Sequence, residues 1–545
     1  MLDRPAAWTE GHRVAGLLRV IAFGFPTLIA IAAVLWSRPL INPDTSTALR
    51  AWDAWIHHGE WNRIIQPSPA DLNVDTATWF GWWSPGQYLW TGSFSLLTDD
   101  LGLAAILSAL VACWIKSIGL YRLLRAFAVE PSWAWWAVAA EAVSWNLYTG
   151  FAFYSGAEVL QAAYFPWFLL ALVALGRADR PTLRWLWLIP LFFTGAAIKY
   201  SLEIAAVAGG AWLAGEVGLN RARSWSAKLA AAAYVGLALG IMVLAAHRLL
   251  IRDAGDPSQS GEVILTSRLA WSFALAAPFL SATGFGSLAS HSFFVAGKTM
   301  NDGWQSLMPA MMAAAAPLLL LYGGVCWAQA DRRFGRLIAW LLATYCGALA
   351  VLLARGASIS LEDRHFRLPG MVLLTGLVLA ALDRRKARPN RAWARCLMGC
   401  LAGLASLYGV GSSLLRIRTL ARLDRVASCG LSLPNLDRAA DRELLRLDRA
   451  GANTRNVICT ADPMLSLEVR HSRLIISDLA DQPARFDSMR YYGRVPQLTL
   501  VLPAEWARSA QLARVEHLFP DYPASAWHSW VIGTCCFAQA QVKPG

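Results

Sequence analysis

Apolar runs long enough to cross a bilayer recur through the first three quarters of the chain. A membrane-spanning helix needs about 20 predominantly apolar residues. The pattern predicts about eleven spans, at roughly 15–36, 101–122, 133–149, 158–176, 185–202, 204–219, 228–247, 307–327, 337–354, 368–382 and 394–414. We therefore expect a mostly α, polytopic transmembrane helical bundle over residues 1–417.

Two segments contain apolar residues without the pattern of a full span. Residues 84–97 are short and open with Ser-Pro-Gly, so we expect a half-inserted or interfacial helix there. Residues 269–306 contain Pro and Gly, which favour a broken or interfacial element. Residues 37–100 then form a large first outer loop between the first two spans.

The first outer loop contains an amphipathic helical pattern in "TALRAWDAWIHHGEW". Its apolar positions share one helical face: Leu49, Trp52, Trp55 and Ile56. We expect that face to lie on the membrane, with the polar positions towards water. Thr45 or Ser46 can cap such a helix and Gly59 can end it.

The last quarter of the chain changes to short buried strands. They are predicted at 456–460, 473–477, 497–502 and 529–536, with an amphipathic helix over 503–519. Strands alternating with helices predict a small α/β domain over residues 418–545. The domain has no Gly-rich phosphate loop, so we do not expect it to bind nucleotides.

Composition agrees with a membrane protein. Of 545 residues, 56% are hydrophobic and 16% are charged, whereas a soluble chain has about 25% charged residues. With the N-terminus in the cytoplasm, the inner segments have 20 Lys and Arg and the outer ones 11. This bias predicts a cytoplasmic N-terminus and, with an odd number of spans, an extracytoplasmic C-terminal domain. The first apolar run is too long for a signal peptide and Arg38-Pro39 follows it, which predicts an uncleaved first span. The net charge of +13 therefore reflects topology and implies no nucleic-acid partner.

The nine cysteines show no metal-ligand spacing. Those in or near spans are expected to be small hydrophobic residues. Four lie in the C-terminal domain, at Cys429, Cys459, Cys535 and Cys536. One disulfide among these four is an open alternative, and the sequence does not choose the pair.

Asp44 is the first candidate for chemistry, because it stands where the chain leaves the first span. Asn-Pro-Asp-Thr is good turn chemistry, so one interpretation makes Asp44 a helix cap. The other makes it a functional carboxylate held at the membrane edge by the helix that follows. A base needs a free oxygen, so the two roles are compatible only in part.

A second candidate cluster is "SLEDRHFRLPG", just before a span. Arg364, His365 and Arg367 are its candidate phosphate ligands, since guanidinium groups bind phosphate in a bidentate manner. The alternative is a solvated loop whose Arg side chains reach up to lipid headgroups.

Ionisable residues near the outer ends of other spans could reach the same cavity as Asp44. Lys199 is a further candidate for phosphate, and the candidates for a second acid are Glu158, Asp75 and Asp53. Glu141 lies mid-span and is interpreted as a buried, paired or protonated residue. A divalent cation is an open alternative, since Asp44 with Asp75 or Glu158 could form a site, but no metal ligands are assigned.

The arrangement over residues 15–200 resembles the GT-C superfamily of polytopic glycosyltransferases. A first span precedes a large outer loop with an acidic residue, then a helix, then the aromatic segment "WWSPGQYLW". Asp44 matches the acidic position of those enzymes, while Thr45 replaces their common second acid. Ser84-Pro85-Gly86-Gln87-Tyr88 stands in for their proline-tyrosine motif.

The resemblance implies transfer of a sugar from a polyprenyl-phosphate donor to a glycan, lipid or protein hydroxyl. The reaction would occur at the outer face of a bacterial-type inner membrane. Asp44 would be the general base of an inverting displacement, and Arg364, His365, Arg367 and Lys199 would bind the donor phosphate. Two alternatives stay open, namely a transporter or flippase of lipid-linked sugars and a non-catalytic membrane assembly protein.

Overall fold

The structure is a computed structural model. It describes residues 4–68, 70–144, 150–177, 181–252, 267–284, 300–356, 363–382, 392–423, 426–433, 435–451, 456–460, 462–476 and 497–540. Within these residues it is a mostly helical bundle with a small C-terminal α/β domain.

The bundle and its first loop contain fourteen α-helices among the described residues. They are α1 Arg4–Ala32, α2 Pro43–His58, α3 Gly86–Ser95, α4 Leu101–Ala126, α5 Pro131–Ala142, α6 Ala157–Gly176, α7 Leu188–Ile198, α8 Ser201–Leu219, α9 Trp225–Ala246, α10 Ser267–Thr283, α11 Met300–Ala328, α12 Arg332–Ala354, α13 Arg367–Leu382 and α14 Ala392–Leu423.

Eight helices in the described part are long and apolar enough to cross a membrane. Three predicted spans, at 133–149, 185–202 and 368–382, coincide with shorter helices instead. Helix α5 has 12 residues and α13 has 16, and a full crossing takes about 20. Helix α10, which carries Pro278, begins the segment expected to be broken.

The shorter α13 is buried on all sides within the bundle, from Leu368 to Ala380. A helix that is apolar all round belongs in the interior of a large bundle.

The close approach of α4 and α6 depends on a small residue. At Gly119 on α4, an added Cβ would lie 2.6 Å from the Trp167 indole nitrogen on α6, a distance that only glycine accommodates.

The first outer loop is an ordered layer at one end of the bundle. Strand β1 (Leu40–Ile41) pairs in parallel with β4 (Phe153–Tyr154), and β2 (Arg63–Pro67) forms an antiparallel hairpin with β3 (Asp75–Trp79). Helix α3 is 10 residues long, consistent with the expectation that 84–97 is not a full span.

Helix α2 is capped differently from the prediction. The Asn42 side chain accepts the backbone N–H of Asp44 at 2.7 Å, so Asn42 is the N-cap, and neither Thr45 nor Ser46 has that role. Asp44 is therefore in the first turn, beyond the cap. Gly59 ends the helix in the left-handed region at φ 72°, as predicted.

The C-terminal domain is a five-stranded sheet with helices. Its order is β6 (Arg473–Ile476), β5 (Val457–Thr460), β7 (Leu498–Pro503), β9 (Cys535–Ala540), β8 (Trp527–Ile532). Strand β5 runs parallel to both neighbours, while β9 pairs antiparallel with β7 and β8. Helix α15 (Arg438–Ala450) precedes β5.

Two predictions for this domain were wrong in detail. The run 529–536 is not one strand, because Gly533 and Thr534 turn the chain between β8 and β9. The predicted helix over 503–519 is interrupted at Ser509, which caps the short α16 (Ala510–Glu516) after a 3-10 turn. All nine cysteines are free thiols, including the four in this domain.

The C-terminal domain packs on α2, which corrects the expectation of a membrane contact for the part of the apolar face around Leu49. Leu49 is 4% exposed and shares a buried cluster with residues of the C-terminal domain such as Leu467. The Arg50 guanidinium donates to the carbonyl of Val469 at 3.2 Å. Protein therefore covers Leu49, whereas Ile56, another of the four predicted apolar positions, is 43% exposed.

Candidate active site

A buried carboxylate with two cations lies at the end of the bundle that carries the first outer loop and the C-terminal domain, here called the loop end. Glu158 accepts Lys199 Nζ at 2.7 Å on Oε1 and Arg367 NH1 at 2.6 Å on Oε2. Ser155 Oγ donates to the same Oε2 at 2.8 Å. The Glu158 side chain is 5% exposed, and those of Lys199 and Arg367 are 22% and 11% exposed.

Each member of this cluster stands at a break between elements. Glu158 is in the first turn of α6, where the helix dipole favours a negative charge. Lys199 follows the end of α7 with extended backbone, at φ −160° and ψ 133°. Arg367 begins α13. The three side chains therefore converge from helices far apart in the sequence.

Gly156 allows the close approach that this arrangement needs. Its φ is +38°, and a Cβ there would lie 2.3 Å from the carbonyl oxygen of Gln87. Both observations exclude a larger residue without movement of the backbone. The turn into α6 is thereby pressed against α3.

The cluster has a net positive charge. One carboxylate faces two cations, and both of its oxygens already accept charged hydrogen bonds. Such bonds are about twice as strong as neutral ones. Glu158 is therefore arranged to hold Lys199 and Arg367 in place.

Gln87 joins the segment that carries Asp44 to the segment that carries Glu158. Its Nε2 donates to Thr45 Oγ1 at 2.8 Å, and its Oε1 accepts the backbone N–H of Ala157 at 3.1 Å. Thr45 follows Asp44 and Ala157 precedes Glu158 in the sequence. The two acidic residues thus stand next to the two ends of one buried side-chain bridge, and Asp44 itself is half-buried.

A second contact fixes the same two segments. Asn42 N–H donates to the carbonyl of Tyr154 at 2.9 Å, which extends the β1–β4 pair. The Tyr154 hydroxyl accepts from Ser108 at 2.8 Å and also contacts Thr91. Burial raises the pKa of Tyr154 to about 12, so the phenol stays neutral and holds β4 in place.

A narrow cavity of about 30 Å³ opens beside the cluster between α4, α6 and α13, and both Glu158 and Arg367 line it. This is room for one or two water molecules. Lys116 also lines it and forms a buried ion pair with Glu141, Nζ to Oε2, at 3.7 Å. Glu141 is thus a paired residue, one of the alternatives predicted for it.

The remaining sequence candidates lie elsewhere or are outside the described residues. Asp53 is 43% exposed and is paired with Arg50 and His57 on the surface of α2. Asp75 on β3 bonds Arg473 of the C-terminal domain at 2.6 Å. His365 is half-buried in the 3-10 turn before α13, and the side chain of Arg364 in that turn lies outside the described residues.

The acidic residues do not assemble as metal ligands in the described part of the chain. No group of three or more His, Cys, Asp or Glu side chains there is placed to hold an ion. Both partners suggested for Asp44 are engaged otherwise, Asp75 by Arg473 and Glu158 by Lys199 and Arg367. Within the described residues these carboxylates are therefore not arranged as the ligands of a metal ion.

Gln87 and Ser155 are the site residues that the sequence did not indicate. Gln87 lies inside the "SPGQY" segment noted for its Pro and Tyr, and its polar side chain within an apolar helix was the available signal. Ser155 carries no such signal, because a serine before a span is ordinary capping chemistry.

The C-terminal domain has its own groove, at the carboxyl ends of β5 and β7. It has a volume of about 610 Å³, and its walls include Asn435, Asp462, Met464, Glu505 and Trp506. In α/β sheets this edge, where the strand order reverses, is where ligands bind. The 3-10 helix Pro463–Glu468 separates the groove from α2.

No protein-family profile and no curated protein matches the chain. Among solved structures it resembles ArnT from Cupriavidus metallidurans in the apo state, with a TM-score of 0.52 and 12% identity, over 98% of both chains. The likeness to ArnT confirms the predicted fold, a polytopic helical bundle with a small C-terminal α/β domain, in an integral membrane protein.

Two weaker likenesses were also found. Arabinofuranosyltransferase AftD from Mycobacteria matches with a TM-score of 0.46 and 13% identity, over 96% of this chain and 41% of that one. The oligosaccharyltransferase AglB from Archaeoglobus fulgidus, solved with an inhibitory peptide and a dolichol-phosphate, matches with a TM-score of 0.45 and 12% identity, over 98% of this chain and 75% of that one.

Proposed function

We propose that this chain is an integral membrane glycosyltransferase that moves a sugar from a polyprenyl-phosphate donor to a hydroxyl acceptor. The observation that carries the proposal is the buried cluster of Glu158, Lys199 and Arg367, joined through Gln87 to the segment of Asp44. A paired cation site, linked through Gln87 to the segment of a half-buried carboxylate at the edge of an apolar bundle, suits a substrate with a lipid tail and a phosphate.

Lys199 and Arg367 are the groups that bind the donor phosphate. The bond that breaks joins the anomeric carbon to a phosphate oxygen, and its electron pair leaves with the phosphate. The departing phosphate needs no proton, but it is stabilised by fixed cations that are already oriented. Glu158 supplies that orientation, and we assign it this positioning role in place of a second acid.

Asp44 is the general base that takes the proton of the acceptor hydroxyl. The acceptor oxygen forms the new bond to the anomeric carbon, and its proton goes to the Asp44 carboxylate. Base assistance of this kind contributes about a hundred- to ten-thousandfold in rate. A single in-line displacement inverts the anomeric centre.

The groove of the C-terminal domain is proposed to hold the acceptor. An indole beside carboxylate and amide groups suits a ligand with apolar faces and hydroxyl edges, as sugars have. Arg50 on α2 bonds Val469, which follows the helix Pro463–Glu468 that separates the groove from α2. The groove is therefore connected rigidly to the helix that carries Asp44.

The loop end is proposed to face the outside of a bacterial-type inner membrane, with the N-terminus in the cytoplasm. The charge bias of the loops supports this orientation.

The proposed function is tested by reconstituting the purified protein in liposomes with a lipid extract containing polyprenyl-phosphate sugars and a cell-envelope glycan fraction. Transfer of labelled sugar to the glycan supports the proposal. Movement of intact donor across the bilayer without transfer would identify a transporter instead.

A further inference from the structure

A second cavity, rich in arginine, lies at the opposite end of the bundle from the candidate active site. It has a volume of about 430 Å³ and is lined by Arg177, Arg223, Arg333, Arg336 and Glu216, among others. It lies where α6 and α8 end and α12 begins. Helix α6 has 20 residues, so about 30 Å separates this cavity from Glu158.

Glu216 fixes two of the four guanidinium groups. Arg336 donates Nε and NH2 to the two Glu216 oxygens at 2.5 and 2.9 Å, and Arg333 donates Nε to Oε2 at 3.2 Å. The Glu216 side chain is 9% exposed, while those of Arg333 and Arg336 are 35% and 41% exposed. Their remaining N–H groups are therefore held in a set direction at the cavity.

The other two arginines complete the rim. Arg177 donates NH2 to the carbonyl of Ala126 at the end of α4, and Arg223 is half-buried in the turn after α8. Four guanidinium groups around one carboxylate leave three positive charges. The bias of loop charges explains exposed residues such as Arg221, but it does not explain convergence on one cavity.

We propose that this cavity binds the phosphate group of an anionic membrane lipid. Arginine is suited to phosphate because its fork of N–H donors matches two phosphate oxygens. Basic pockets between the ends of membrane helices bind anionic headgroups. The wall also contains Leu219, which is 68% exposed at the end of α8. An apolar exposed edge next to the cations favours a lipid over a free anion.

The test uses the full-length protein in detergent after removal of bound lipid, with lipid binding counted by native mass spectrometry. Phosphatidylglycerol, phosphatidylcholine and inorganic phosphate are the three probes. We expect the wild type to bind one phosphatidylglycerol at least tenfold more tightly than phosphatidylcholine, and to bind inorganic phosphate weakly. Replacing both Arg177→Gln and Arg223→Gln should reduce the preference about tenfold, since charged hydrogen bonds are lost.

Arg221→Gln is the matched control, because it removes one positive charge from the same turn without touching the cavity. It should leave lipid binding unchanged. Equal binding of the two lipids by the wild type, or an unchanged preference for phosphatidylglycerol in the double variant, would overturn the proposal that this cavity is a lipid site. Inorganic phosphate binding as tightly as phosphatidylglycerol would overturn the lipid as its ligand. This inference does not depend on the proposed glycosyltransferase activity.

Discussion

Arg367 NH1 lies 2.6 Å from Glu158 Oε2, although 209 positions separate the two residues in the sequence. The bond joins the start of α13, buried within the bundle, to the start of α6 at the loop end. Glu158 also holds Lys199 at 2.7 Å. The second half of the bundle thereby contributes a cation next to the first outer loop, where Asp44 lies.

Removing the guanidinium should impair release of the donor phosphate. We expect Arg367→Met to lower kcat by about a hundredfold, the usual effect of losing one donor to a developing anion. The measurement is the initial rate of sugar transfer in liposomes at saturating donor. Arg63→Met is the control, because Arg63 also forms an ion pair, with Glu60, but lies on β2 away from the cluster. An equal effect of both variants would argue against a specific role for Arg367.

Glu158→Gln should separate the positioning role from a direct chemical one. The change keeps the shape but removes the carboxylate charge that both largely buried cations contact, which destabilises the fold. We expect the Tm of the purified variant to fall. Added polyprenyl phosphate should then raise the Tm of the variant more than that of the wild type, because the phosphate replaces the missing charge. A ligand-induced rise no larger than that of the wild type would contradict phosphate binding at these cations.

Gln87→Leu should affect turnover more than binding of the donor. The bridge between Thr45 and Ala157 is lost, and misplacing a catalytic group by about 1 Å costs up to about a hundredfold in rate. We expect kcat to fall at least tenfold with little change in the donor KM. Gln87→Glu keeps the acceptor for the Ala157 N–H, and the Thr45 hydroxyl can donate to its other oxygen, so it should recover much of the rate. Equal loss in both variants would point to a general folding defect.

Trp506→Ala should weaken binding of the acceptor and leave binding of the donor unaffected. Removing the indole takes away the apolar wall of the C-terminal groove, so the acceptor KM should rise about tenfold, as expected for one aromatic contact. Trp506→Phe keeps a ring and should stay close to the wild type. Initial rates at varied acceptor concentration and fixed donor concentration give the acceptor KM of both variants. An unchanged acceptor KM in Trp506→Ala would remove the groove from the proposal.

Much of the fold could be predicted because its signals are local. Long apolar runs mark α4, α6 and α12, and short β-branched runs mark β5, β6 and β7. Hairpin β8–β9 was predicted as one strand, since the Gly533-Thr534 turn is flanked by apolar residues on both sides. Composition alone does not separate short apolar helices such as α13 from full spans, because both are apolar and only their lengths differ.

The site was predictable in its residue types and less so in its roles. Ionisable residues at span ends, such as Glu158, Lys199 and Arg367, are costly in a membrane and so stand out in the sequence. Which of them are paired depends on contacts between distant helices. Pairing with two cations is the reason that Glu158 is proposed as a positioning residue in place of a second acid. The bridge through Gln87 and the cover of α2 by the C-terminal domain are equally long-range, so no local pattern reveals them.

The most direct test of the account is the comparison of Asp44→Asn with the wild type in the same liposomes, with transfer and donor binding measured on one preparation. Asn keeps the size and polarity of the side chain but cannot take a proton at neutral pH. We expect the rate of transfer to fall at least a hundredfold, with donor binding and protein yield unchanged. Transfer close to the wild-type rate would contradict it, because some other group would then have to accept the proton.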